Sequence, residues 1–256
     1  MLFGCGALLS LILLFLLHLF SILIDRIDPV KPSTLDFYFD YLSPFAFFAW
    51  LDIGELCEKN DLKLRPHPVV FGKLLDHWGQ LGPAEIAPKR DWVSRYCLRY
   101  ASLHGFEYNP PRFHPFNPLP ALRLSLFEVC GEQQQTVIQA LFEAGWIRGE
   151  DLGDVDNLIA ILERTGIETG GLKQKITNPD IKNALIKQTS NAIANGVFGV
   201  PTMIVADQLF WGNDQFEHIQ LLLDGNDPLD KKEAHSLKSR PRMIDRKKFT
   251  EKGRGR

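Results

Sequence analysis

DFYFDYLSPFAFFAW, residues Asp36 to Trp50, contains the change of period that decides the fold. From Leu35 to Tyr41, the residues Leu35, Phe37, Phe39 and Tyr41 alternate with Asp36, Tyr38 and Asp40, the period of two expected of a strand with one buried face. At Ser43 the alternation stops. Pro44 suits a first helical position, where its missing N–H removes no bond, and Ser43 ahead of it is a good N-cap. Phe45 to Cys57 then continues as a mostly apolar helix, covered on several sides. A serine between strand and helix holds its hydroxyl where free N–H groups and the helix dipole favour an anion.

Upstream, Met1 to Ile24 holds no Asp, Glu, Lys or Arg. At about 1.5 Å per residue, a helix of that length spans the roughly 30 Å hydrocarbon core of a membrane. No basic residue precedes the run and no A-x-A pattern follows it, which argues against a cleaved signal. Two readings of residues 1–30 stay open: a membrane anchor, or upstream sequence read through from a misplaced start, with initiation near Val30. Arg26 and Lys31 follow the run, so an anchor would leave the main domain cytoplasmic, tethered to the inner face of the membrane.

Downstream, Leu62 to Val70 is a second strand, and its Pro66 and Pro68 mark it as irregular or at an edge. Strand, helix and strand make a βαβ unit with parallel strands and a right-handed crossover. Helical periodicity then runs through Lys89–His104, Pro120–Cys130, Gln133–Trp146, Val155–Thr165 and Asp180–Ala194, with Asp154 and Asn178 as start signals. Between them, Phe106 to Pro120 is too rich in proline for regular structure and reads as a rigid loop. After Gly196 the stretch TMIVADQLFW is a hairpin turning at Ala206 and Asp207, and Asn213 to Leu223 is a last helix. The predicted class is therefore α/β, ordered βαβ…ββα, over residues 31–224, with an all-α insertion at about 72–195. Residues 225–256 carry many Lys and Arg and few apolar residues, and read as a basic, mostly disordered tail.

Composition narrows the classes of function. A chain of 256 residues, 45% hydrophobic and 23% charged, can bury a full core, and its net charge of -2 argues against nucleic acid as a partner. Cys5, Cys57, Cys97 and Cys130 form no C-x-x-C pair, so no redox pair or metal-ligand spacing arises, and the last three read as buried, inert thiols of a reduced compartment. His67, His77, His104, His114 and His218 have no paired spacing either, so no metal is expected and ordinary surface or hydrogen-bonded histidines are favoured.

The element order resembles the thioredoxin fold, and three motifs refine the resemblance. YLSPFAFFA, GVFGVPTMIV and FWGNDQ resemble the serine, cis-proline and final-helix motifs of kappa-class glutathione transferases. WGQLGPAEIAPKR (Trp78 to Arg90) and HPFNPLPALRL (His114 to Leu124) resemble 2-hydroxychromene-2-carboxylate isomerases more particularly, and together the five cover about Leu35 to Leu223. The resemblance implies glutathione as cofactor, a small aromatic carboxylate as substrate and a homodimer. Ser43 matches the family's active-site serine, which stands where a redox thioredoxin has its first cysteine, and S-P-F-A offers no thiol for disulfide exchange. Val200 and Pro201 match the Val and cis-Pro that pair with the cysteinyl part of glutathione; Asn213 and Asp214 match the pair at its γ-glutamyl end. Gln80 and Lys89 are implied on the cofactor side, and Trp78, Arg90, Asn117 and Pro118 around the substrate.

The implied reaction interconverts 2-hydroxychromene-2-carboxylate and trans-o-hydroxybenzylidenepyruvate, a step of aromatic compound degradation. The rivals are a kappa-type transferase acting on another electrophile and a non-enzymatic, membrane-tethered glutathione-binding module.

Overall fold

A computed structural model describes residues 32–241, so the apolar run of Met1 to Ile24, and with it the question of an anchor, lies outside the described residues. Among the described residues, no helix is long and apolar enough to cross a membrane. Strand β1 (Thr34–Phe39) leads through the Ser43 turn into α1 (Pro44–Asn60) and then β2 (Lys63–Pro68). Helices α2 (Phe71–Trp78), α3 (Ala87–His104), α4 (Leu119–Leu124), α5 (Phe127–Cys130), α6 (Gln134–Trp146), α7 (Val155–Arg164), α8 (Leu172–Thr177) and α9 (Pro179–Ala194) follow. The chain returns through β3 (Thr202–Val205), β4 (Gln208–Trp211) and α10 (Phe216–Leu223). The four strands form one sheet in the order β2-β1-β3-β4, with β1 parallel to β2 and antiparallel to β3. This is a mixed thioredoxin-like sheet with an all-α insertion between β2 and β3.

Burial explains the order. Leu35, Phe37 and Phe39 are fully buried on the face that receives α1 and α6, where Phe39 meets Phe142 at 5.5 Å and Phe47 meets it at 6.0 Å between ring centres. The expectation of a single buried face needs correction. Tyr38 points the other way and is also buried, in a second cluster with Val69, Leu74, Ala192, Val197 and Val200, because α2 and α9 close the opposite side of a central strand.

The prolines of β2 do mark an edge, and its free carbonyls are covered from the insertion. Gln134 Nε2 donates to the Pro66 carbonyl at 3.2 Å, and Gln188 Nε2 to that of Pro68 at 2.9 Å. At the hairpin, Ala206 and Asp207 have φ of 49° and 59°, the two left-handed residues of a turn whose twist suits two antiparallel strands.

Several boundaries differ from the sequence reading. The single helix expected over Pro120–Cys130 is two, because buried Ser125 caps the first: its hydroxyl donates to the Ala121 carbonyl at 2.9 Å and meets Tyr41 Oη at 2.6 Å. The helix expected from Asn213 begins only at Phe216, so Asn213 and Asp214 stand in the turn ahead of it. Within the supposedly disordered tail, Lys231–Lys238 forms a helix, α11, whose N-cap Asp230 accepts from Lys232 N and Glu233 N; none of its residues is buried.

Candidate active site

The Ser43 turn has the N-cap geometry that its sequence calls for. Ser43 has an extended backbone, and its Oγ accepts from Ala46 N at 3.1 Å while Pro44 opens α1. The same hydroxyl donates to the Val200 carbonyl at 3.3 Å, across 157 residues of chain, and Val200–Pro201 is a cis peptide bond. Ser43 and Val200 are only 5% and 7% exposed, so the two meet in a largely dry place, where a hydrogen bond to an anion is strong.

Backbone bonds extend this junction to the third motif. Gly212 N donates to the Pro201 carbonyl at 3.1 Å, so cis-Pro201 is tied to the turn carrying Asn213 and Asp214. Gly212 has a φ of 116°, and a Cβ there would lie 2.5 Å from Asp214 Oδ1, so the turn needs glycine both for its backbone and for the carboxylate folded over it. Asp214 is exposed and its Oδ1 accepts from Gln215 Nε2 at 3.0 Å. Gly199 is similarly constrained, since a Cβ would lie 2.7 Å from Nε1 of Trp211, a half-exposed indole beside Phe198.

Other expected residues stand further out. Trp78, at the end of α2, donates its indole N–H to the Val197 carbonyl at 2.9 Å and so braces the loop that runs to Val200. Asn117 Oδ1 accepts from the N–H of Leu119, the first residue of α4, at 3.2 Å, and Pro118 stands at the N-cap of that helix. Gln80 lies in the connection after α2; Lys89 and Arg90 occupy the first turn of α3. All three are exposed, and among the described residues none has a side-chain hydrogen bond or ion pair to the Ser43 group. Helix α3 nonetheless lies along α1: Tyr96 packs on Phe45 at 5.6 Å and Tyr100 stacks on Phe48 at 4.3 Å.

Four residues not singled out for the site prove to shape it. His114 was expected to be ordinary, yet its Nε2–H donates to the Leu42 carbonyl at 2.9 Å, bringing the proline-rich loop onto the Ser43 turn through a cis bond to Pro115. Trp146 donates to the neighbouring Tyr41 carbonyl at 3.1 Å. Tyr100 donates to Asp52 Oδ2 at 3.5 Å and also reaches the Asn213 side chain; burial first, then the Asp52 charge, pushes its phenol up to about 12. Asp40 is fully buried, and burial raises its carboxyl to about 7 against the pull of two backbone N–H groups. No sequence signal marks these partners, because each is brought in from a distant part of the chain or from a position that the alternation assigned to solvent.

Among the described residues, the site contains no thiol of its own. Cys57, Cys97 and Cys130 are free, and burial raises them to about 11, 11 and 12, as expected of inert thiols. What the arrangement offers is a hydroxyl donor at a helix N-terminus, a cis-proline backbone edge and a polar turn, a set suited to holding a thiolate supplied by a ligand.

Comparison with known proteins agrees with the fold. The model of the DsbA-like thioredoxin domain matches residues 34–224. The 2-hydroxychromene-2-carboxylate isomerase of Sphingobium xenophagum is 27% identical over 195 residues, covering 75% of this chain and 98% of that protein. Glutathione S-transferase kappa 1 of Rattus norvegicus is 25% identical over 210 residues, covering 75% of this chain and 91% of that protein. A solved 2-hydroxychromene-2-carboxylate isomerase superposes with a TM-score of 0.69 at 25% identity, covering 75% of this chain and 95% of that one.

Proposed function

We propose that this chain, which belongs to the DsbA-like thioredoxin domain family, is a glutathione-dependent isomerase interconverting 2-hydroxychromene-2-carboxylate and trans-o-hydroxybenzylidenepyruvate. The observation that carries the reading is the meeting of Ser43 Oγ with Val200 at a cis-proline, in a site with no cysteine. A disulfide exchanger needs a thiol there; a glutathione enzyme needs a donor.

The residues present fit glutathione. Ser43 Oγ–H is the donor for its sulfur, and the α1 N-terminus favours the thiolate form. When the hydroxyl turns to that sulfur it releases the Val200 carbonyl, which is then free to accept from the cysteinyl peptide N–H. Asn213 and Asp214 hold the γ-glutamyl end, where the Asp214 carboxylate suits an ammonium. When bound, glutathione supplies the thiolate that adds reversibly to the conjugated double bond, making it single so that it can rotate. Gln80 and Lys89 serve the outer carboxylate of the cofactor and Arg90 orients that of the substrate. Trp78, Asn117 and Pro118 bound the aromatic side. Homodimeric assembly and a cytoplasmic site of action belong to the same reading.

Ser43→Ala tests it through the thiolate absorbance of bound glutathione and through turnover. Both fall if Ser43 stabilises the thiolate; both unchanged would remove Ser43 from the mechanism. The similarity to kappa-class transferases supports a second reading, conjugation to another electrophile. A panel of conjugated electrophiles separates the two, since a transferase releases a conjugate where an isomerase returns glutathione.

A further inference from the structure

We propose that Asp40 is a positioning residue for the Ser43 site, fixing the Ser43 turn and α2 in one geometry and setting through its own charge how strongly the site favours a thiolate. This rests on the glutathione reading above. Asp40 directly follows β1, three residues before Ser43, whose N–H donates to the Asp40 carbonyl at 3.1 Å. Its side chain binds on both sides of the site: Oδ1 accepts from Leu42 N at 3.0 Å, and Oδ2 from Phe71 N, the first residue of α2, at 2.9 Å. Phe71 N–H is one of the orphan donors of that helix, and Val70 at the N-cap has no side-chain bond to give it. At its other end, α2 carries Trp78, which holds the Val197 carbonyl in the loop leading to Val200, and Val200 returns to Ser43 Oγ. Asp40, α2, Trp78, the loop and Ser43 therefore close one circuit of bonds.

No cation among the described residues pairs with Asp40. Among the described residues its surroundings hold these ionisable groups. Next in chain is Tyr41, bonded to Ser125 and raised far above its ordinary range by burial, with the Asp40 charge adding to it. On α2, Lys73 and Asp76 pair with each other at the surface, and His77 is exposed. On β2, His67 is held by Asp36 at 2.6 Å. On α9 and α1, Lys182, Lys187 and Asp52 are exposed, while Thr189 of α9 accepts from Val70 N at 3.1 Å. His114 contacts the Leu42 carbonyl and is exposed. The carboxylate thus relies on two N–H donors, and its titration falls at about 7. Ionised, it places a negative charge behind the α1 N-terminus and opposes a thiolate at Ser43. Protonated, with its proton released to solvent as pH rises, it removes that opposition.

The test uses the full chain. In the ligand-free protein, the amide shifts of Leu42, Ser43 and Phe71 are followed across neutral pH, where one shared inflection near 7 is expected in the wild type and none in Asp40→Asn. With glutathione bound, Asp40→Asn should ionise the thiol at lower pH, holding up to about tenfold more thiolate than wild type above pH 7, where the wild-type carboxylate is charged. A purely structural Asp40 would not move that midpoint downward. Because Asp40→Asn sets an NH2 against an N–H donor and can fail to fold, the wild-type titration stands on its own: flat amide shifts overturn the proposal. A shared inflection with an unmoved thiol midpoint in a folded Asp40→Asn also overturns it, while leaving the glutathione reading in place. Wild-type protein that binds no glutathione would instead overturn that reading, and with it the thiolate half of this one.

Discussion

Replacing Ser43 by Ala removes two bonds at once, and their sum is large enough to measure apart from any effect on chemistry. The Ala46 N–H loses its cap, at about 1 kcal/mol. The Val200 carbonyl loses the donor at 3.3 Å in a place where Val200 is 7% exposed, and an unsatisfied buried acceptor costs about 1–3 kcal/mol. The long distance puts this bond at the lower end, so the total is roughly 2 kcal/mol. For a domain of this size that corresponds to about 4–8 °C in Tm. Urea unfolding of wild type, Ser43→Ala and Ser43→Thr reads it as a change in midpoint at constant slope. Threonine keeps an oxygen able to cap and to donate, and should recover most of the loss. If Ser43→Ala unfolds within about 0.5 kcal/mol of wild type, neither bond contributes as described, and the serine is not the structural link between α1 and the cis-proline loop.

Other consequences follow from single observations. Asp40 has an ordinary value of 3.8 and a folded value of about 7; at about 1.4 kcal/mol per pH unit, the difference is on the order of 4 kcal/mol. Because the folded value is the raised one, this contribution is full below about 4 and is lost as pH rises through 7. The urea midpoint of wild type should therefore fall over that window relative to Asp40→Asn, and parallel profiles would contradict it. Phe142→Ala should cost about 3–5 kcal/mol, since that buried ring meets Phe39, Tyr41, Phe47 and Trp50; thermal unfolding measures it. Ala206 sits at φ 49°, so Ala206→Asn should stabilise the hairpin by about 1 kcal/mol, and a fall in denaturant midpoint would speak against the turn geometry. Gly199→Ala should weaken glutathione binding, because the methyl displaces Trp211 beside Val200; unchanged calorimetric affinity would detach that loop from the site.

The parts of the fold that were legible in sequence are those whose signals are local. Alternation followed by Ser43-Pro44 marks β1 and α1, and Ala206-Asp207 between two short apolar runs marks the hairpin. Helix α2 was missed because it is eight residues long and takes its N-terminal partner from Asp40, 31 positions earlier. The break at Ser125 depends on a buried bond to Tyr41, which no helical period reveals. Tyr38 and Asp40 were read as facing solvent since alternation reports only one neighbour layer, and α2 and α9 supply a second. At the site, Ser43, Val200 and Pro201 were found through motifs; Ser43 bonds the Val200 carbonyl, and a cis bond joins Val200 to Pro201. The bond from His114 to the Leu42 carbonyl spans 72 residues and leaves no mark in local sequence. Asn213 and Asp214 keep their place beside cis-Pro201 but precede the helix that was expected to contain them, because Gly212 turns the chain first.

In the proposed reaction, this site uses a borrowed thiol to turn a double bond. Its most direct test is the absorbance spectrum of 2-hydroxychromene-2-carboxylate with the protein, recorded with and without glutathione. Formation of trans-o-hydroxybenzylidenepyruvate is expected only when glutathione is present, with loss of that activity in Ser43→Ala. Isomerisation at equal rate without glutathione, or none under either condition, would contradict it.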